Sequence, residues 1–335
     1  DLDYISDNFI RTAACRDKRI VTSGGTTYKA LVVPGARLMP ADVLAKLLDL
    51  AKEGATVVFL DQYPEDVPGY AGLERRRTEF KRTLIKKLGN ERGKGQTVFF
   101  GTDYVRTLAQ TAAIPEAMKT SFDLSCIRRK NTEGYHYFIS ALTGKDTESW
   151  IPLAVPVRSA MLYNPMNGSS GKALLRQKDG KTEVYLQLAS GESAILKTFT
   201  EADVQVPEWK YQTVAQGTVE LSGLWSLRFV ESAPAVHSVP DSVSLGSWTD
   251  LSFEGAGTTM GTGCYTTAFV IENPASAQDW QLSLGDVRES ARVRINGREV
   301  ATLWAVPYCC PIGQYLRPGK NILEIEVTNL PANRI

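Results

Sequence analysis

The stretch from Leu284 to Leu330, with Asn296-Gly297 at its centre, constrains the fold of this chain more than any other. Ala291, Val293 and Ile295 alternate with Arg292 and Arg294, so apolar side chains fall on one face of a strand and charged ones on the other. Asn-Gly tolerates the positive φ that a type I′ turn needs at both central positions, and it returns the chain into a second strand at Glu299 to Leu303. Pro318-Gly319 breaks the chain again before Asn321 to Thr328, where Leu323, Ile325 and Val327 face one way and Glu324 and Glu326 the other. Such a stretch reads as the last half of a β-sandwich, with Asn321 to Thr328 as its closing strand.

The 335 residues are enough for two or three domains, each with its own core. With 38 basic and 37 acidic residues the net charge is +1, which gives no general pull toward nucleic acid or anionic membrane. There is no run of eighteen apolar residues and no basic-then-apolar opening, so neither a membrane span nor a signal peptide is expected. The opening Asp-Leu-Asp-Tyr reads as the middle of a longer protein. The five cysteines, Cys15, Cys126, Cys264, Cys309 and Cys310, include no CxxC pair, so neither a zinc site nor a thioredoxin-like pair is indicated. Cys309-Cys310 can form a vicinal disulfide or hold a soft metal, but two small apolar residues in a buried strand is the favoured reading. No metal and no cofactor are implied.

From Asp1 to Leu124 strand and helix signals alternate. Lys29 to Pro34, Thr56 to Leu60 and Thr97 to Gly101 are short apolar runs of the kind that fill a parallel sheet. Between the first two a helix starts near Pro40, carries Asp42 early and Lys52 late, sets Leu44, Leu47, Leu48 and Ala51 on one face, and stops at Gly54. Strand, helix, strand at this spacing is a βαβ unit, so the sheet is expected to be parallel and covered on both faces. Gly24-Gly25 lacks the pattern of a phosphate loop and reads as a turn. Nine basic residues (Arg75, Arg76, Arg77, Lys81, Arg82, Lys86, Lys87, Arg92, Lys94) against Glu74, Glu79 and Glu91 make a local net of +6. A phosphate groove is one reading. Leu73, Phe80, Leu84 and Leu88 recur there at helical spacing, which favours the solvated face of an amphipathic helix.

From Ser125 to Thr200 the pattern becomes all strand. Ile127 to Lys130 and Tyr135 to Ser140 flank a Thr132-Glu133-Gly134 hairpin, Asn164-Pro165 and Asn167-Gly168 mark turns, and Val184, Leu186 and Leu188 alternate with Tyr185 and Gln187. His136 between Tyr135 and Tyr137 reads as a rim histidine. A polar linker, Glu201 to Gln216, leads to strands at Trp225 to Phe229 and Gly263 to Ile271, with a proline-punctuated loop at Ser232 to Ser244.

The succession LGDV, RES, VRINGREV, LW with PY, LRPGKN and LEIEVTNL, followed by Asn333-Arg334, resembles the sugar-binding jelly roll of family 2-type glycoside hydrolases. More narrowly, Trp225 to Ile335 resembles the C-terminal part of family 106 α-L-rhamnosidases. The region before Leu124 resembles the flavodoxin-like, glutamine-amidotransferase-like domain of several glycoside hydrolase families. The middle region resembles the compact β-sandwich that follows it, with Tyr163-Asn164-Pro165 and Gly168 at a family turn where Asn164 replaces the usual acidic residue. The fold class implied is multidomain α/β plus all-β: residues 1–124 as a flavodoxin-like parallel sheet, 125–205 as a small β-sandwich, and 217–335 as a galactose-binding-like jelly roll. An amidotransferase needs a cysteine on a glycine-flanked strand-to-helix turn and a nearby histidine. Here Asp61-Gln62-Tyr63-Pro64 follows the second strand, and His136 and His237 lie outside the domain.

Glycosidases set two carboxyl groups across the scissile bond. Asp286 and Glu289 bracket a loop that, with Arg288, can reach hydroxyl groups or a neighbouring active site; ion pairs of the loop itself, Asp286 with Arg288 or Glu289 with Arg292, are the favoured reading. Trp304 and Tyr308 are the leading aromatic candidates for stacking on a sugar, with Trp248 and Tyr265 behind them, although sandwich aromatics usually pack in the core. No catalytic residue is assigned. The resemblance implies a non-catalytic portion of a glycoside hydrolase that acts on oligo- or polysaccharide in the periplasm or outside the cell and contacts a missing N-terminal catalytic barrel. The alternatives are an independent carbohydrate-binding array and a stand-alone enzyme built on the α/β domain. A parent strand ahead of Asp1 is also expected, which leaves the parallel sheet with an exposed edge.

Overall fold

The computed structural model describes residues 2–88, 96–213 and 217–334, except the side chains of 84–88 and 333–334. Leu84, Lys86, Lys87, Leu88, Glu91, Arg92 and Lys94 of the basic segment, the end of the linker at 214–216, and Asn333-Arg334 with Ile335 thus lie wholly or by their side chains outside the described residues. The chain is mostly β-sheet with few helices, and its buried apolar residues form three separate cores in succession along the sequence.

The first core begins with α1 (Asp7–Thr12) and a small antiparallel sheet of β1 (Ala14–Arg16), β2 (Arg19–Val21) and β3 (Thr27–Tyr28). Next come β4 (Ala30–Val33), α2 (Ala41–Lys52), β5 (Thr56–Leu60), α3 (Leu73–Leu88), β6 (Val98–Gly101), α4 (Tyr104–Ala109) and α5 (Ala117–Ser121). Strands β4, β5 and β6 pair in parallel in that order, as the apolar runs indicated. Leu31, Val33, Val57, Phe59 and Val98 pack into the core with Leu44, Leu47, Leu48 and Ala51 of α2. The other face is less covered than expected. Val58 is buried there, where α4 packs against β5 and β6, but Val32 is 39% exposed. Among the described residues β4 pairs with β5 alone and is an edge of its sheet.

In α3, Phe80 is fully buried, while Arg76 donates to the carbonyls of Gly69 (2.6 Å) and Ala71 (2.8 Å). Arg77 grips Asp66 through Nε (3.0 Å) and Nη2 (2.7 Å), and these bonds hold the Asp66 carboxyl at about 2. Two of the basic residues thus serve the fold by tying the helix to the loop before it. Gly25 sits at φ 84° with its N–H on the carbonyl of Thr22, so the Gly24-Gly25 pair is a turn between β2 and β3.

The second core lies between two antiparallel sheets. Their strands are β7 (Ser125–Lys130), β8 (Gly134–Ser140), β9 (Thr147–Pro152), β10 (Ser159–Tyr163), β11 (Ser170–Lys172), β12 (Leu175–Lys178), β13 (Lys181–Leu188) and β14 (Ser193–Phe199). One sheet has the order β11-β10-β14-β8-β7 and the other β12-β13-β9. Tyr137, Ile139, Leu162 and Leu196 from the first meet Ile151, Val184, Leu186 and Leu188 from the second. The side chain of Glu116, just ahead of α5, is 8% exposed here. It pairs with Arg128 and accepts bonds from the Tyr137 hydroxyl (3.1 Å) and the Ala154 N–H (3.1 Å).

The third core belongs to β15 (Ser226–Ala233), β16 (Met260–Ile271), β17 (Gln281–Ser283), β18 (Ser290–Ile295), β19 (Arg298–Leu303), β20 (Cys309–Pro311) and β21 (Gly319–Thr328). The five-stranded sheet runs β15-β16-β21-β18-β19, and β17 pairs with β20. Ala291, Val293 and Ile295 are fully buried, and Asn296 (φ 52°) and Gly297 (φ 78°) make the turn with both residues left-handed, as the dipeptide required. The last strand, read as the one that closes the sandwich, lies at the centre of its sheet between β16 and β18. Pairing on both sides buries its inward residues more fully than an edge would. No helix among the described residues is long and apolar enough to cross a membrane.

Candidate functional site

The sugar-site residues read from the sequence sit on two loops at one end of the last sheets. Because β17 pairs with β20, the chain leaves them side by side, and the Leu284 N–H donates to the carbonyl of Tyr308 (2.9 Å). The Tyr308 hydroxyl crosses to the main-chain oxygen of Glu289 (2.8 Å). Its ring is buried in the third core, and burial pushes the phenol above its ordinary range. Tyr308 is thereby corrected from a surface aromatic to a strut that fixes one loop against the other: a ring only 6% exposed offers no face to a sugar.

Asp286 and Arg288 form a bidentate pair, Nε to Oδ1 and Nη2 to Oδ2, both 2.8 Å, on the open surface. The guanidinium holds the Asp286 carboxyl below the usual range, the opposite of what a general acid needs. Of the two loop contacts that the sequence offered, this one forms, whereas Arg292 pairs with Glu326 and not with Glu289. Glu289 is exposed, with its own N–H on the carbonyl of Thr328 (2.9 Å). Trp304 was expected to pack; it is instead 65% exposed, in the loop that ends at Tyr308. That loop abuts the middle sheets, since a Cβ added at Gly191 would come within 2.4 Å of Val306 Cγ2. A bond from Gln212 Nε2, in the linker held to Gln187 of β13, to Gln281 Oε1 (3.1 Å) ties β17 to the same side.

The structure therefore gathers Asp286, Arg288, Glu289 and Tyr308, and leaves Trp304 as the open aromatic beside them. Trp248 and Tyr265 are core residues, bonded Nε1–H to hydroxyl at 2.7 Å. His136 is exposed and bonded to Asn131 (2.9 Å), a rim residue as read. Asn164 caps its own turn by accepting the Met166 N–H (2.8 Å), work that an asparagine does as well as an acidic residue. All five cysteines are free thiols, and burial pushes Cys310 up to about 11, in keeping with a packed, unreactive residue. No group of three or more histidine, cysteine or acidic side chains converges as metal ligands among the described residues.

The α/β region offers little chemistry. Its three parallel strands follow chain order, so among the described residues there is no point of reversed strand order, where open α/β sheets bind ligands. Asp61, directly after β5, has a left-handed backbone (φ 64°) as a nucleophile elbow would, but no histidine lies in this region.

One surface escaped the sequence reading, which took Tyr185 and Gln187 only as outward partners of Val184, Leu186 and Leu188. Across the β12-β13-β9 sheet, Glu148, Trp150, Arg176, Glu183 and Tyr185 line an open concavity of about 620 Å³. The available signal was the period-two spacing of Glu148 with Trp150 and of Glu183 with Tyr185.

Residues 1–177, more than half of the chain, match the profile of glycoside hydrolase family 106, described as alpha-L-rhamnosidase. The chain belongs to this α-L-rhamnosidase family. The matched span covers the α/β region and most of the middle sheets, not the strands after Trp225 on which the sequence resemblance chiefly rested. Across 99% of its length the chain is similar in fold to a rhamnosidase from Novosphingobium sp. PP1Y, with a TM-score of 0.69 and 23% identity, and it covers 32% of that chain. It is also 32% identical over 119 residues to a putative beta-glucuronidase of Formosa agariphila, a match to 35% of this chain and 10% of the relative. This member of the rhamnosidase family thus spans about a third of one relative and about a tenth of the other.

Proposed function

We propose that this chain is a non-catalytic, C-terminal portion of a glycoside hydrolase of the α-L-rhamnosidase family, which buttresses a catalytic barrel carried by the rest of the parent enzyme. The observation that carries the reading is the disparity in coverage: nearly all of this chain matches a rhamnosidase, yet it accounts for 32% of that protein. In this reading residues 1–124 are a flavodoxin-like domain without amidotransferase chemistry, 125–205 a small β-sandwich and 217–335 a galactose-binding-like jelly roll. The three separate cores support that division. Asp286, Arg288, Glu289 and Trp304 are the part of the jelly roll offered to the barrel or its sugar, with Tyr308 holding their loops together. The paired Asp286 supports binding over acid catalysis.

The isolated chain is expected to release no aglycone from aryl α-L-rhamnosides. Turnover above a heat-inactivated control, retained through purification and lost on substituting a carboxylate of this chain, would overturn the non-catalytic reading.

A further inference from the structure

We propose that the outer face of the β12-β13-β9 sheet is a carbohydrate-binding surface for neutral pyranosides, distinct from the loops that carry Trp304. The proposal rests on the reading of the chain as part of a glycan-acting enzyme, and it adds a site on the middle region.

Tyr185 is the register partner of Trp150, Gln187 of Glu148, and Glu183 of Arg176, so these six side chains share one face of the antiparallel sheet. The opposite face is committed to the core through Ile151, Val184, Leu186 and Leu188. On the outer face Trp150 and Tyr185 lie with ring centroids 5.2 Å apart, and Tyr211, from the chain after the sheet and packed against the same core, flanks Tyr185 at 5.1 Å. Rings of this kind present an apolar face and a polar edge, which matches a sugar ring with hydroxyls at its rim.

The polar groups around these rings are fixed before any ligand arrives. The Tyr185 hydroxyl donates to Glu148 Oε1 (2.5 Å), joined by Gln187 Nε2 (3.3 Å), and Gln187 is itself held by the main chain of Gln212 (2.7 and 2.8 Å). The Tyr185 bond, then that of Gln187, holds the Glu148 carboxyl below its ordinary range, so it is an acceptor at neutral pH. Its Oε2 has no partner among the described residues and is left for hydroxyl donors. Arg176 lies over the Trp150 ring at 4.5 Å and gives its Nε to Glu183 Oε2 (2.6 Å). Its two terminal nitrogens have no partner among the described residues, which supplies donors beside the acceptor.

Charge selects the ligand class. Arg176 and Lys178 balance Glu148 and Glu183 around the concavity, so an acidic sugar gains no net attraction over a neutral one. The two carboxylates cannot serve as a hydrolytic pair. The register of their strands offsets them by four residues, about 13 Å at the rise of a strand, beyond the roughly 5–9.5 Å of glycosidase pairs. The surface holds glycan and does not cut it.

Isothermal titration of the full chain with methyl α-L-rhamnopyranoside, galactobiose and digalacturonic acid tests this. Saturable binding of a neutral probe, insensitive to added NaCl, is expected. It should weaken at least tenfold in Tyr185→Ala and Glu148→Gln and stay unchanged in Arg292→Gln, with thermal melts verifying that each variant folds; Tyr185→Phe, which keeps the packing, should fall between. No saturable binding of either neutral probe overturns the proposal. So does preference for the acidic probe with steep salt dependence. Binding lost in Trp304→Ala but kept in Tyr185→Ala overturns it too, by moving the site to the loops, and leaves the glycosidase reading intact. Hydrolysis by the isolated chain would instead strike that reading alone.

Discussion

The three-stranded sheet of the middle region and the five-stranded sheet at the end of the chain are built alike on the inside and differently on the outside. Leu186 in one and Ala291, Val293 and Ile295 in the other are almost wholly buried at alternate positions. Outside, the last sheet sets Arg292 and Arg294 against Glu326 of the neighbouring strand at 3.4 and 2.7 Å, a charge ladder with no aromatic in it. The middle sheet keeps Trp150 and Tyr185 half-exposed over a fixed carboxylate. Surface ion pairs cost little and contribute little. Half-exposed rings forgo part of the burial that would stabilise the fold, at about 25 cal/mol for each Å² left wet. The inner face states how a sheet folds, and the outer face is where two such sheets can differ in use.

If the inner faces are equivalent, Ile295→Ala and Leu186→Ala should each cost about 2–5 kcal/mol in denaturant melts. A loss under about 1 kcal/mol in one of them would break the equivalence.

Charges should divide by burial. Glu116→Ala removes the carboxylate shared by Arg128, whose side chain is 22% exposed, and the Tyr137 hydroxyl, and should cost about 2–4 kcal/mol, discounted for that exposure. Glu326→Ala on the outer ladder should cost about 1 kcal/mol or less. Equal losses would mean that the ladder is part of the core's support.

Gly297→Val should lower stability by about 1–2 kcal/mol through the left-handed backbone, although no atom within 4 Å stands in the way of its Cβ. Trp304→Phe, at an exposed ring, should stay within about 0.5 kcal/mol. The reverse order of melting temperatures would show that the indole is held by contacts its exposure does not suggest.

The smallest effect concerns pH. Glu148 has its folded pKa lowered by Tyr185 and Gln187, so its contribution is present above the ordinary carboxylate pKa and is lost as pH falls through the lower folded value. Between about pH 5 and 3 the parent protein should lose slightly more stability than Glu148→Gln, which does not titrate there. Identical slopes would show that the bond from Tyr185 is not maintained in solution.

Much of the fold was legible because its signals are local. The run Thr56–Leu60, the helix after Pro40 with its leucines at helical spacing, and the turn at Asn296-Gly297 each carry their instruction within a few residues. The small sheet β1-β2-β3 was not legible, because strands of two or three residues hold no period to read. Of the candidate site, the Asp286–Arg288 pair was one of two contacts that spacing offered; the other, Glu289 with Arg292, gives way to Arg292 with Glu326 on the neighbouring strand. The fates of Trp304 and Tyr308, four residues apart in one loop, were not legible: the pairing of β17 with β20 draws one ring into the core and leaves the other in water.

By itself the sequence determined which residues alternate, where the chain turns, which family it resembles, and that no amidotransferase nucleophile follows β5. Tertiary structure alone decided that the last strand lies mid-sheet, that the open face of the parallel sheet is only partly covered, and that Glu148 meets Tyr185 from a strand 37 residues away. The reason is range. Periodicity and turn chemistry act between near neighbours, whereas sheet order, register and the convergence of an outer face follow from how distant strands share a core, and one residue's slip in that pairing would turn every such side chain to the other side.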